Sequence, residues 1–286
     1  MLTSPVRLFS PSLDTALPLM LDSPHSGQVY PDGFHCEATA AELLSARDAH
    51  VDELWLGAVD CGAQLLAAEF PRVVIDPNRN SSDIDPELLA APWPREWGAL
   101  EPTPYSTRGM GLIRRLILPG KPMYREPLPP REVKKRIDQL YMPYHQALQE
   151  GLTGLRERFG RVWHINCHSM KSTANAMNVD AGSARPDFVI SDALGTTSEP
   201  AFGDYVEAQL RDLGYSTSRN DPYLGGHIVR KFGRPDAGVN SIQIEINRRL
   251  YLDESNATPS IDYPQLREAL TQLSQNLGAY IRRELN

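Results

Sequence analysis

Three short apolar runs in this chain each end on polar residues capable of chemistry, and long amphipathic stretches separate them. Leu17 to Asp22 runs into Ser23-Pro24-His25-Ser26-Gly27. Arg72 to Asp76 runs into Pro77-Asn78-Arg79-Asn80, and Val162 to Cys167 opens onto His168-Ser169-Met170. Apolar and β-branched runs bounded by Pro, Gly, Asn and Ser read as strands that deliver their last side chains into loops. Phe188 to Asp192 reads as another strand. Ser241 to Ile246 reads as a buried one, carrying Glu245 inside the alternation Ile242-Gln243-Ile244-Glu245-Ile246.

The intervening stretches have helical periodicity. Over 40–68, Leu43, Leu44, Val51, Leu54, Trp55 and Ala58 recur at three- and four-residue spacing, which would put Asp48 and Asp52 on one helical face. Glu132 to Phe159 carries Val133, Ile137, Leu140, Tyr144, Leu148 and Leu152 on one stripe, with Pro143 as its candidate break. Further helices are expected over Ala201 to Leu213 and Tyr263 to Glu284. Strands alternating with helices predict an α/β fold of three layers, a mostly parallel central sheet flanked by helices. Ligands in such folds gather at the carboxyl ends of the strands. Residues 81–130 are rich in Pro, Trp, Arg and Tyr with little periodicity. So long an irregular stretch is expected to wall the site within a single domain spanning 1–286.

A net charge of −7 and a pI near 5.5 argue against a nucleic-acid surface and favour a small-molecule partner. The N-terminus lacks a basic start followed by a continuous apolar core, and no apolar run is long enough to span a bilayer, so no membrane partner and a cytoplasmic location are expected. Cys36, Cys61 and Cys167 form no CxxC pair, which fits reduced thiols. Oligomeric state is not legible.

His25, Asn78-Arg79, His168 and Glu245 would converge on one sheet edge. Two imidazoles with a carboxylate form a common catalytic zinc set that leaves one position for water. Competing readings exist for each residue. Asn78-Arg79 could be a turn with a solvated arginine. Glu245 could be neutralised by Arg230, Arg248 or Arg249, because a buried carboxylate without a partner costs several kcal/mol. His164 alternates with apolar neighbours and reads as a core histidine, and His35, His145 and His227 lack a comparable placement. Ser26 and Ser169 each follow a histidine, but adjacent residues on an extended chain point to opposite faces, and no GxSxG elbow occurs. Gly225-Gly226 forms no phosphate-cradling pattern.

These motifs belong to a recognisable ordered set: Ser-Pro-His-Ser-Gly at 23–27, Asp-x-x-Val-Asp at 48–52, Ile-Asp-Pro-Asn-Arg at 75–79, His-Ser at 168–169, Pro-Tyr-Leu-Gly-Gly-His-Ile-Val-Arg at 222–230 and Gln-Ile-Glu-Ile-Asn-Arg-Arg-Leu-Tyr at 243–251. Together they resemble the N-formylglutamate amidohydrolase family, over about Leu17 to Asp253. That family is similar in turn to the zinc carboxypeptidases and aspartoacylases, which implies their fold, a mixed central sheet flanked by helices, and one zinc ion at the strand ends. By this resemblance His25 would be the first metal ligand, His168 the last, Asn78-Arg79 the substrate-binding pair and Glu245 the catalytic base.

The departure lies at the second ligand, because carboxypeptidases place a Glu three residues after the first His and here that residue is Gln28. Asp48, at the front of the next predicted helix, is the candidate replacement, with His50 as the alternative. The implied reaction is metal-dependent cleavage of N-formyl-L-glutamate, with Arg79 steadying the anionic intermediate. Arg114, Arg115 and Arg230, helped by Tyr124 and Asn78, would bind the carboxylates of a small acidic N-acyl amino acid. Two other readings stay open: a hydrolase of another N-acyl amino acid or short peptide, and a relative that has lost its metal and only binds a small molecule.

Overall fold

The computed structural model describes residues 2–174, 180 and 182–285. Its strands are β1 (Val6–Phe9), β2 (Leu19–Ser23), β3 (Gln64–Ala68), β4 (Leu116–Leu118), β5 (Lys121–Pro122), β6 (Val162–Met170), β7 (Phe188–Ser191), β8 (Thr217–Arg219), β9 (Val239–Asn247), β10 (Leu252–Asp253) and β11 (Thr258–Pro259). Seven of them form one sheet in the order β1-β3-β2-β6-β9-β7-β8, and β4-β5 and β10-β11 are separate ribbons. The central strands β3, β2, β6 and β9 are parallel, β1 and β7 join antiparallel, and β8 runs parallel to β7.

The helices are α1 (Ala40–Ser45), α2 (Val51–Leu54), α3 (Gly57–Asp60), α4 (Pro104–Thr107), α5 (Pro130–Arg136), α6 (Met142–Phe159), α7 (Pro200–Asp212), α8 (His227–Phe232) and α9 (Tyr263–Glu284). On one sheet face Leu54, Ala58, Val206, Leu270 and Leu277 pack against Leu21, Ile165 and Ile244, which places α2, α3, α7 and α9 there. On the other, Val133, Tyr144, Leu148 and Ile228 pack against Met20, Leu66 and Val162, which places α5, α6 and α8. This is the expected α/β arrangement of a mostly parallel sheet between helices. Each fully buried Leu contributes about 1.5–3 kcal/mol, so truncating Leu277 to Ala would cost about 2–5 kcal/mol. No helix among the described residues is long and apolar enough to cross a membrane.

The structure departs locally from the sequence expectations. The helix expected over 40–68 is three short helices followed by strand β3. His50 interrupts it with φ of 61°, and Gly62 turns it at φ of 105°, where a Cβ would lie 2.4 Å from the Thr15 carbonyl oxygen. Asp48 and Asp52 therefore do not share a helical face: Asp48 precedes α2, and Asp52 pairs with Arg7. The run 72–76 is a chain of turns and not a strand, with Val74 N–H bonded to Pro71 O and Asp76 N–H to Leu112 O. Its apolar residues are buried, and a short buried run has no periodicity that separates strand from turn.

Pro143 does not break its helix. A π-helical turn over Ile137–Tyr141 joins α5 to α6 and contains Gln139, the residue whose carbonyl the Pro143 ring would otherwise crowd.

Candidate metal and substrate site

Strict alternation along β6 and β9 sorts this sheet into an apolar and a polar face. Trp163, Ile165 and Cys167 join Ile242, Ile244 and Ile246 in one core. Their alternates pair across the ladder on the other face, His164 with Ser241, Asn166 with Gln243 and His168 with Glu245. β6 runs through Met170, so His168 sits on the strand itself and not in the loop expected after Cys167. His25 arrives from the turn after β2. Gly27 allows that turn, because a Cβ there would meet the Phe70 carbonyl oxygen at 2.3 Å. Asp48 comes from the bend before α2, where its N–H bonds His25 O.

The ligand atoms of His25, Asp48 and His168, all buried, lie within 4.8 Å of one another. Nδ1 of His25 is 3.3 Å and Nδ1 of His168 3.1 Å from the same oxygen, Asp48 Oδ2. The far nitrogens are held from behind: His25 Nε2 donates to Asp76 Oδ1 at 2.7 Å, and His168 Nε2 to Asn166 Oδ1 at 2.7 Å. Asn78 Nδ2 lies 3.0 Å from that His168 nitrogen. With their protons on Nε2, both rings turn lone pairs toward a carboxylate oxygen. Three electron-rich atoms converging in a buried space call for a cation between them, and a carboxylate or amide behind each imidazole is the usual outer support of a metal-binding histidine. The donor set therefore fits a metal ion.

Burial alone would raise the Asp48 carboxyl, but the positive charges around it, Arg72 among them, hold it well below the usual carboxylate range. Asp76 is likewise held far down, against burial, by Arg72, His25 and Arg79. Glu245 goes the other way: burial raises its carboxyl, His168 opposes this and the Asp48 charge adds to it. Gln243 Nε2 donates to Glu245 Oε1 at 2.9 Å, and no arginine forms an ion pair with it among the described residues. Arg248, a candidate to neutralise Glu245, instead binds Asp48 Oδ1 at 2.9 Å.

A cavity of about 130 Å³ opens beside Asp48 and is lined by Arg72, Arg114, Lys171, Arg185 and Arg248, with Asp48 as the single carboxylate among the described residues that line it. Met110, Ile117 and Leu118 reach it from the irregular 81–130 segment. Larger concavities of about 280 Å³ beside Leu2–Pro5 and about 230 Å³ between α6 and α8 contain none of the ligand triad.

The other candidates distribute unevenly. Arg114 lines the cavity, its Nε buried without a hydrogen-bond partner among the described residues, and burial followed by the Arg72 charge lowers its pKa to about 9. Asn78 lies behind His168: its Nδ2 donates to Asn166 Oδ1 and Gln243 Oε1, and its Oδ1 accepts from Ile228 N–H at 2.9 Å. Gly226 makes room for it, since a Cβ there would lie 2.3 Å from Asn78 Nδ2. Arg79 stacks on Tyr105 at 4.1 Å and bonds Met110 O and Asn78 O.

Three carboxylate-binding candidates stand elsewhere. Arg115 is consumed by Asp85 and Glu87. Tyr124 receives a hydrogen bond from Arg136 within a hydrophobic cluster. Arg230 is exposed on α8 and bonds Gly225 O. His50 pairs with Glu53 away from the triad, and exposed Gln28 accepts from Arg47. Sequence reasoning missed Asp76, Arg72, Asn166 and Lys171. Asp76 was legible in principle as the polar residue just before Pro77-Asn78-Arg79, whereas Asn166 and Lys171 become visible only through strand parity and the cavity.

Known proteins resemble this chain in sequence and in fold. The profile of the N-formylglutamate amidohydrolase family matches residues 17–252. N-formylglutamate deformylases of Pseudomonas aeruginosa and Pseudomonas putida are each 30% identical, over 242 and 246 residues, covering 83% and 84% of this chain and 83% of each relative. A crystal structure of N-formylglutamate amidohydrolase from Ralstonia eutropha JMP134 superposes with a TM-score of 0.93 at 42% identity, over 98% of this chain and 99% of that one. A gene product of Agrobacterium tumefaciens shares the fold at a TM-score of 0.64 and 19% identity, over 98% of this chain and 96% of that one. The chain belongs to the N-formylglutamate amidohydrolase family.

Proposed function

We propose that this chain hydrolyses the formyl amide of N-formyl-L-glutamate, releasing formate and L-glutamate, with one zinc ion held by His25, Asp48 and His168. The observation that carries this reading is the cavity: five cations and one carboxylate open directly beside the ligand triad in a chain whose net charge is −7. Such a pocket favours a small polyanion. Names of the relatives supply the amide and the acyl group.

Bound zinc would supply Lewis acidity at the scissile carbonyl and acidify water. Asp76 and Asn166 keep the imidazole protons on Nε2, so that both Nδ1 atoms stay available. Glu245 takes a proton from the attacking water and passes it to the departing amine nitrogen, a role suited to a carboxyl whose pKa burial has raised. Arg79 has Nε and Nη1 engaged by backbone carbonyls, which leaves Nη2 for charge developing on the amide oxygen. Arg114 binds substrate carboxylate through its unpartnered edge.

The test is formate release from N-formyl-L-glutamate by metal-analysed protein, before and after chelation and zinc return. Release that disappears with the metal and returns with zinc supports the proposal. Release that persists in metal-free protein overturns the metal assignment, and no release from zinc-loaded protein overturns the substrate.

A further inference from the structure

The five cations of the cavity are not equivalent, and sorting them by partner leaves two. Arg72 gives Nη2 to Asp76 at 2.7 Å, Arg248 gives Nη2 to Asp48 at 2.9 Å, and Arg185 grips Asp180 through Nε and Nη2 at 2.8 and 2.9 Å. Arg114 and Lys171 form no ion pair among the described residues, and both line the same space. Burial and the nearby Arg72 charge depress Arg114, while burial, Arg248 and Arg114 itself depress Lys171. Two like charges facing one cavity repel, and a ligand carrying two anionic groups relieves both.

Their surroundings order them along the cavity. Asp76, which bonds His25 Nε2, gives its N–H to Leu112 O, two residues from Arg114 along the chain. Lys171 lies just past the end of β6, next to Ser172, whose N–H bonds Glu254. In an N-formyl amino acid the α-carboxylate shares its carbon with the scissile nitrogen, whereas the side-chain carboxylate of glutamate stands two methylene groups farther out. A planar guanidinium suits the fixed α-carboxylate close to the triad, and a flexible ammonium suits the swinging distal one.

We propose that Arg114 takes the α-carboxylate and Lys171 the side-chain carboxylate, making Lys171 the residue that selects an acidic side chain. This assignment rests on the deformylase reading, and its test separates the two. Wild type, K171M and K171R are assayed with N-formyl-L-glutamate and N-formyl-L-glutamine, and their binding of L-glutamate and L-glutamine is measured by calorimetry. K171M raises KM for N-formyl-L-glutamate about tenfold with kcat changed by less than about twofold, and raises KM for N-formyl-L-glutamine far less. K171R, which restores the charge, keeps the preference for the acid. Equal losses on both substrates, or an undiminished preference in K171M, overturn the assignment. If wild type releases no formate, the deformylase reading fails by itself and binding decides: a glutamate preference lost in K171M supports the role of Lys171, and one retained overturns it.

Discussion

His25 Nε2 donates to Asp76 Oδ1 across 2.7 Å, both groups buried, and this bond sets which imidazole nitrogen faces Asp48 and His168. The same oxygen accepts from Asn78 N–H, and Arg72 holds the other. Asp76 therefore braces, from behind His25, the His25–Asp48–His168 group that could hold a metal ion. D76N should weaken zinc binding about ten- to a hundredfold while the fold persists, measured by competition with a chromophoric chelator. Unchanged zinc affinity would remove Asp76 from the site.

The second ligand is a choice between Asp48 and His50, and the two differ sharply in surroundings. Asp48 shares one oxygen with both imidazoles, whereas His50 sits at a left-handed backbone position beside Glu53. D48N should lower bound zinc to substoichiometric levels, and H50A should leave the metal content of purified protein unaltered. Elemental analysis of the two variants side by side decides between them. The reverse pattern would move the ligand to His50.

Among the described residues Glu245 has no cationic ion-pair partner, so no such pair ties up its charge. Replacing it by Gln keeps the shape and the bond to Gln243 but removes the base. E245Q should lose about a hundred- to ten-thousandfold in kcat while retaining its metal. A variant that keeps its rate would exclude Glu245 as the proton carrier.

Much of this site was legible because β-strand parity is strict. In β9 the alternation of Ile with Gln243 and Glu245 already placed the carboxylate opposite the apolar core, and His164 read correctly as a core group: it is fully buried between Asp22 and Ser241. Parity gave no help where the chain turns. Val73-Val74-Ile75 has strand composition, yet its burial comes from a tight turn whose hydrogen bonds involve Leu112, remote in sequence. The arginines were misjudged for a related reason. Arg115 and Arg114 are adjacent and chemically identical, and only the positions of Asp85 and Glu87 decide that one is neutralised and the other faces the cavity. Lys171 follows His168 by three residues, and only the folded cavity shows that it lines the same space.

Acid sensitivity should arise away from the metal. His145 is buried on α6, its Nε2 donating to Pro77 O at 2.9 Å and its Nδ1 accepting from Lys231 at 3.1 Å, so it must be neutral to make both bonds. Burial, with Lys231 and His227 adding, lowers its pKa to about 3, and burial lowers His227 to about 4. The unfolded chain, with histidines near 6.5, binds more protons than the folded one between these values, so stability rises with pH there. The contribution is complete above about pH 6.5 and is lost progressively as pH falls toward about 3. Unfolding free energy measured by urea titration should drop by roughly 1–2 kcal/mol per buried histidine between pH 7 and pH 5. H145Q, which removes one titrating group while keeping a donor for Pro77, should flatten this slope. A slope as steep in H145Q as in the wild type would assign the acid sensitivity to other groups, and because His145 bonds the carbonyl just before Asn78, the same variant tests whether this histidine steadies the turn that carries Asn78 and Arg79.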